Sequence, residues 1–216
     1  MKTGLTELVF ILDRSGSMAG LESDTIGGYN ATLARQKAEP GEAIVTTVLF
    51  DDQYELLHDR INIKGVEPIN DQAYFVRGCT ALLDAIGKTI HKIGNVQKHT
   101  ADSERAEKVC FVITTDGMEN ASKEYSYDMV RKLVERQKSQ YGWEFIFLGA
   151  NIDAVATAAR FGIDKNRTAN YVPDSIGTQM NYDAINKAVT MFRSCNEISI
   201  DWKEDVEADH RQRGGK

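Results

Sequence analysis

The chain is short of the residues that build redox or soft-metal chemistry. Its three cysteines, Cys79, Cys110 and Cys195, lie far apart and show no CxxC spacing, which excludes a disulfide framework and a thiolate zinc site. Its four histidines, His58, His91, His99 and His210, have no metal-ligand spacing either. No apolar run approaches the roughly 18 residues of a spanning helix, and the run after Lys2 is too short for a signal peptide and ends at Asp13. These absences predict reduced thiols in a cytoplasmic protein with no membrane contact. Basic residues are also in deficit, 26 Lys and Arg against 32 Asp and Glu for a net charge of -6. Displacing counterions from nucleic-acid phosphates needs the opposite balance, so the charge favours a cation or a protein partner. No Gly-x-x-x-x-Gly-Lys loop is present to hold a nucleotide.

The 216 residues are 42% hydrophobic and 27% charged, the composition of one soluble domain with a sizeable core. That domain is expected over residues 1–200. From residue 201 to 216 charges and glycines dominate, which reads as a flexible tail.

Strands and helices alternate along the chain. Val9-Phe10-Ile11-Leu12 is an unbroken apolar run, the signature of a strand buried on both faces. Ile26, Tyr29 and Leu33 then recur at helical spacing, and Gly27-Gly28 predicts either a break in that helix or close packing on the sheet. A second strand over 43–50 and a third over 54–63 read as a hairpin. Glu55, His58, Asp59 and Arg60 suit an exposed edge on the third. Leu82, Leu83, Ile86, Ile90 and Ile93 mark the next helix, with Thr80 placed as its N-cap. A second strongly apolar strand over 108–115 also ends at an acid, Asp116. A helix capped by Ser126 and closed by Gly142, a strand over 144–148, a short helix stopped by Gly162, a strand over 169–172 and a helix around Tyr182 and Phe192 complete the pattern. The expectation is an α/β fold, doubly wound, with a mostly parallel central sheet, one antiparallel edge strand and helices on both faces.

In such a sheet ligands bind at the carboxyl ends of the strands, where strand order reverses. Three segments fall there: Asp13-Arg14-Ser15-Gly16-Ser17, Gly78-Cys79-Thr80, and Thr114-Thr115-Asp116-Gly117. Taken alone, a Ser-Gly-Ser loop, a capping threonine and an Asp-Gly turn are ordinary turn chemistry. Together they offer two carboxylates and three hydroxyls, an all-oxygen set suited to a hard cation such as magnesium. Two carboxylates cancel a divalent charge and the hydroxyls add none, so the ion can still accept one more anion.

These residues, Asp13-x-Ser15-x-Ser17 with Thr80 and Asp116-Gly117, resemble the metal-ion-dependent adhesion site of von Willebrand factor type A (VWA) domains, a Rossmann-like α/β family. The resemblance covers roughly residues 5–195. It implies that Asp13, Ser15, Ser17, Thr80 and Asp116 hold Mg2+ or Mn2+, directly or through water, and that a protein partner supplies an Asp or Glu to the ion. Phe50-Asp51-Asp52-Gln53-Tyr54 and Asp116-Gly117-Met118-Glu119-Asn120 look like stand-alone bacterial and phage-associated members, and since family members often work beside ATPases or chaperone-like machines, the resemblance implies such a partner. Cys79 departs from the Gly of many relatives but leaves the threonine intact. Arg14 and residues 118–125 flank the site as candidates for shaping partner choice.

The main reading is therefore a non-enzymatic, metal-dependent protein-binding module. One alternative is a structural subunit of a larger assembly in which the metal only knits three loops together. Another is a phosphotransferase of the haloacid dehalogenase type, which needs a general acid two residues after Asp13, where this chain has Ser15.

Overall fold

The computed structural model describes residues 1–214. The chain runs β1 (Lys2–Asp13), α1 (Glu22–Ala38), β2 (Glu42–Phe50), β3 (Tyr54–Asn62), α2 (Leu82–His99), β4 (Ala106–Thr115), α3 (Tyr127–Tyr141), β5 (Glu144–Gly149), α4 (Ala154–Arg160), β6 (Thr168–Asn170), α5 (Ser175–Cys195) and α6 (Glu204–Asp209). The strands form one sheet in the order β3-β2-β1-β4-β5-β6. All neighbours are parallel except the β2–β3 hairpin.

The central strand explains its own sequence. Leu8, Phe10 and Leu12 enter one core with Tyr29 and Leu33 of α1 and Ile185 and Val189 of α5. Val9 and Ile11 enter the other with Ile86 and Ile90 of α2, Val130 of α3 and Ala158 of α4. Both faces are dry, so no polar residue interrupts the run, and each buried large apolar side chain contributes roughly 1.5–3 kcal/mol. The chain winds outward from β1 to β3 and then crosses back to β4. Strand order thus reverses between β1 and β4, and a crevice opens at their carboxyl ends.

Four local expectations are revised. Helix α1 passes through Gly27-Gly28 without a break, and the close contact is with a helix: a Cβ on Gly28 would lie 2.1 Å from the Tyr182 ring of α5. On β3, irregularities in the β2–β3 register around Thr47 turn two of the expected edge charges inward. His58 is buried against the Thr47 hydroxyl at 3.0 Å, and Arg60 Nε donates to the buried Glu7 carboxylate at 2.8 Å. Strand β6 is only three residues, Thr168–Asn170, because its partner β5 ends at Gly149. The expected charged tail is ordered over its described part: Trp202 and Val206 of the 201–214 segment sit in the α1/α5 core, and Trp202 Nε1 donates to the Asn166 carbonyl at 2.9 Å. Residues 215 and 216 lie outside the described residues.

A further revision positions the site. Thr80 does not cap α2; the cap position is Ala81, which contributes no side-chain bond. The free N–H groups of the first turn are served instead from the loop after β4. The Glu119 carboxylate accepts from Leu83 N at 2.8 Å, and Ser122 Oγ accepts from Asp84 N at 3.0 Å. In return the Asp84 carboxylate accepts from the backbone N–H groups of Lys123, Glu124 and Tyr125 at 2.9, 3.0 and 2.8 Å. Loop and helix start are locked to each other, and the Thr80 hydroxyl is left free of the helix.

Two outcomes follow for stability. Asp84→Ala strips three N–H groups of a charged acceptor and should cost about 2–3 kcal/mol in urea unfolding, with faster amide exchange at 123–125. Gly28→Ala should cost about 1–3 kcal/mol by overpacking, whereas Gly27→Ala, whose Cβ meets nothing within 4 Å, should stabilise by about 0.5–1 kcal/mol.

Candidate metal centre

Asp13 is the last residue of β1 and is 1% exposed. Its Oδ1 accepts from Ser15 N at 2.7 Å and its Oδ2 from the Thr115 hydroxyl at 2.5 Å. Burial pushes its carboxyl up to about 6 despite those donors, and the charge of nearby Asp116 adds to the rise. Asp116, one residue past the end of β4, is also buried, and burial raises its carboxyl as well. Neither of its carboxylate oxygens has a hydrogen-bond partner.

The hydroxyls gather beside this pair. Thr80 Oγ1 donates to Ser15 Oγ at 2.9 Å, and Ser15 Oγ and Ser17 Oγ share a hydrogen bond at 3.1 Å. Gly117 packs against them so closely that a Cβ would lie 2.9 Å from Ser17 Oγ and 3.2 Å from Thr80 Oγ1. Ser15 and Thr80 are buried, whereas Gly16 and Ser17 are exposed, so the cluster opens to solvent on the Ser17 side. The structure thus brings together all five residues singled out in the sequence.

Backbone bonds weld the contributing loops. Gly16 N donates to the Gly78 carbonyl at 3.1 Å, Arg77 N to the Arg14 carbonyl at 2.9 Å, and Ala81 N to the Asp51 carbonyl at 2.8 Å. Asn120 clamps Thr80 from the other side: its Oδ1 accepts from Thr80 N at 2.9 Å and its N–H donates to the Thr80 carbonyl at 3.0 Å. Tyr74 donates its hydroxyl to the Asp13 carbonyl at 2.5 Å. Tyr74 escaped the sequence reading, while Thr115, Glu119 and Asn120 lay inside segments it singled out but were given no such supporting role.

Arg14 is not the partner-facing residue its position suggested. It is fully buried, with Nε on Asp51 Oδ2 at 3.0 Å and a second nitrogen on Glu55 Oε2 at 2.7 Å. Arg77 Nε reaches the same Asp51 oxygen at 2.6 Å. Burial works against the Asp51 charge, but Arg77, the Gln53 N–H and Arg14 together hold its carboxyl below the usual range.

Among the described residues, no three His, Cys, Asp or Glu side chains are grouped to hold a metal ion. A cation at this crevice would draw on hydroxyls as much as on carboxylates. The donor set fits one: every atom is a hard oxygen, and Asp116 presents two buried acceptors with nothing to accept from. No described helix is long and apolar enough to cross a membrane.

No family model and no curated protein sequence matches the chain. Solved structures do match its fold. Proximal thread matrix protein 1 from the mussel byssus, in a structure with a zinc-occupied MIDAS motif, aligns at 14% identity and a TM-score of 0.58, over 86% of this chain and 46% of its own. The chain therefore spans less than half of that protein. Manganese-loaded TRAP protein of Plasmodium vivax aligns at 13% identity and 0.56, over 83% of this chain and 73% of its own. The von Willebrand factor domain of the pilus tip protein Mfa5 from Porphyromonas gingivalis aligns at 10% identity and 0.59, over 90% and 98%. By these alignments the chain has the fold of the von Willebrand factor type A domains.

Proposed function

We propose that the crevice between β1 and β4 holds Mg2+ or Mn2+ through Asp13, Ser15, Ser17, Thr80 and Asp116, and that the protein uses the ion to bind an Asp or Glu side chain of a protein partner. The observation that carries this reading is the Asp116 carboxylate, buried with both oxygens unpartnered beside a second buried carboxylate. An uncompensated buried charge costs several kcal/mol, and the Arg14 guanidinium, next in sequence to Asp13, is turned to Asp51 and Glu55. A divalent cation supplies the missing compensation. Two carboxylates neutralise it while the hydroxyls add donors without charge, so a loaded ion keeps affinity for an outside carboxylate. The mussel and Plasmodium structures, with zinc and manganese respectively, support a divalent ion on this fold.

A binding role is favoured over catalysis by the chemistry around Asp13. A haloacid dehalogenase-type transfer requires a general acid at position 15, and Ser15 instead spends its hydroxyl between Thr80 and Ser17. The net charge of -6 likewise favours a protein partner over nucleic acid.

At a metal concentration near 100 times Kd, binding should add about 2.7 kcal/mol of stability. For a chain of this size that raises Tm by roughly 5–10 °C in a thermal melt. Asp116→Asn, which removes the unpaired charge at constant shape, should abolish that rise while leaving the Tm in chelator unchanged or higher. Calorimetric titration of Ser15→Ala combined with Ser17→Ala should show loss of Mg2+ binding in a protein that still unfolds cooperatively; unchanged affinity would sink the assignment. If the metal were purely structural, chelation would lower Tm without altering the capture of an acidic partner.

A further inference from the structure

The rim of the crevice carries two large apolar side chains that the fold does not use. Phe75 is 43% exposed and Met118 is 73% exposed. They stand on opposite sides of the hydroxyl cluster. Phe75 lies against Arg14 and Arg77, both bonded to Asp51 just beyond the end of β2. Met118 follows Gly117 in the loop that leaves β4. Because β1 lies between β2 and β4, the cluster at the end of β1 sits between the two side chains.

Their physical characters differ in a useful way. The Phe75 ring lies close to two guanidiniums, 5.5 Å from Arg14 and 5.4 Å from Arg77. An aromatic ring immobilised before binding loses little further freedom when covered, which is what an interface anchor requires. Met118 has no comparable restraint, and its unbranched thioether adapts to irregular apolar surfaces. A fixed anchor on one side and an adaptable contact on the other leave the cluster as the polar centre between them.

We infer that this face binds an extended acidic segment of a partner protein in which the Asp or Glu is flanked by large apolar side chains two positions before and two after. The inference rests on the metal-dependent reading above and adds the partner's local sequence character. Spacing supports it. Two inter-strand steps separate the ends of β2 and β4 by about 10 Å, and residues two before and two after a central one in an extended strand are about 13 Å apart on the same face. Charge bears on it as well: Arg14 and Arg77 pair with Asp51 and Glu55, a divalent ion would balance Asp13 and Asp116, and Asp52 adds a further carboxylate beside Arg77.

The test uses the full chain and three fluorescent peptides: Gly-Leu-Ser-Asp-Ser-Leu-Gly, the same with Ser for both Leu, and the same with Asn for Asp. Calorimetric titration with Mg2+ alone comes first and judges the metal reading separately; no heat of binding there overturns both. With Mg2+ bound, fluorescence polarisation should show the Leu-flanked peptide binding roughly tenfold tighter than the Ser-flanked one, equivalent to about 1.4 kcal/mol, and the Asn peptide not binding. Met118→Ser and Phe75→Ser should each erase most of that preference without changing Mg2+ affinity. Equal affinity for the two Asp peptides, binding of neither, or a preference that survives both substitutions overturns the inference while leaving the metal reading intact. Met118→Ser, at a largely exposed loop position, keeps the test sound if Phe75→Ser loosens the Arg14–Arg77 pair.

Discussion

Two carboxylates end up side by side because β1 and β4 are adjacent parallel strands and each is followed directly by an acid, and the rest of the site answers to that fact. The protein treats the two acids differently. Asp13 receives the Ser15 N–H and the Thr115 hydroxyl, whereas neither carboxylate oxygen of Asp116 has a hydrogen-bond partner and the nearby Ser17 hydroxyl only partly offsets its burial. Burial drives both carboxyls upward. A basic side chain could have settled the deficit internally, and Arg14 is the next residue in sequence. It turns instead toward Asp51, leaving the pair's negative charge uncompensated by the chain itself. Two buried acids beside three hydroxyls, one of the acids with no hydrogen-bond partner, are the arrangement on which the proposed cation site rests.

Much of this was legible in the sequence because the decisive signals are local. A buried parallel strand writes itself as a continuous apolar run, and its carboxyl end is marked by the first charged residue, so Val9 to Asp13 and Val109 to Asp116 placed two of the three loops. Alternation of strand and helix then implied the doubly wound sheet, and all five candidate ligands converge in the structure. What escaped depended on pairings distant in sequence. Thr80 looked like a helix cap because capping is judged from the few residues before a helix; the groups that serve α2 come from Glu119 and Ser122, more than thirty residues later. Glu7 and Arg60 meet 53 positions apart, through a hairpin irregularity that composition does not reveal. The ordered 201–214 segment was hidden by its charges, although Trp202 and Val206 at helical spacing were its signal.

The mistaken cap matters to function. Had Thr80 closed the first turn of α2, its hydroxyl would have been committed to a backbone N–H and unavailable to the crevice. Glu119 and Ser122 take over that duty, and Asp84 repays it by holding residues 123–125. The loop bearing Asp116 is thereby fixed to the helix whose approach carries Thr80. One exchange of carboxylates leaves the Thr80 hydroxyl free of the helix and fixes the loop that carries Asp116 beside it.

The same logic extends across the crevice to the rim. Asp51 collects Arg14 and Arg77, the backbone ties Arg14 to Arg77 and Asp51 to Ala81, and Phe75 lies close to the two guanidiniums. The aromatic surface is consequently registered to the hydroxyl cluster by the frame that positions Thr80, and not by a free loop. The exposed Phe75 ring and the buried carboxylates thus share one set of supports, and a partner of the kind proposed would meet both in a fixed relation.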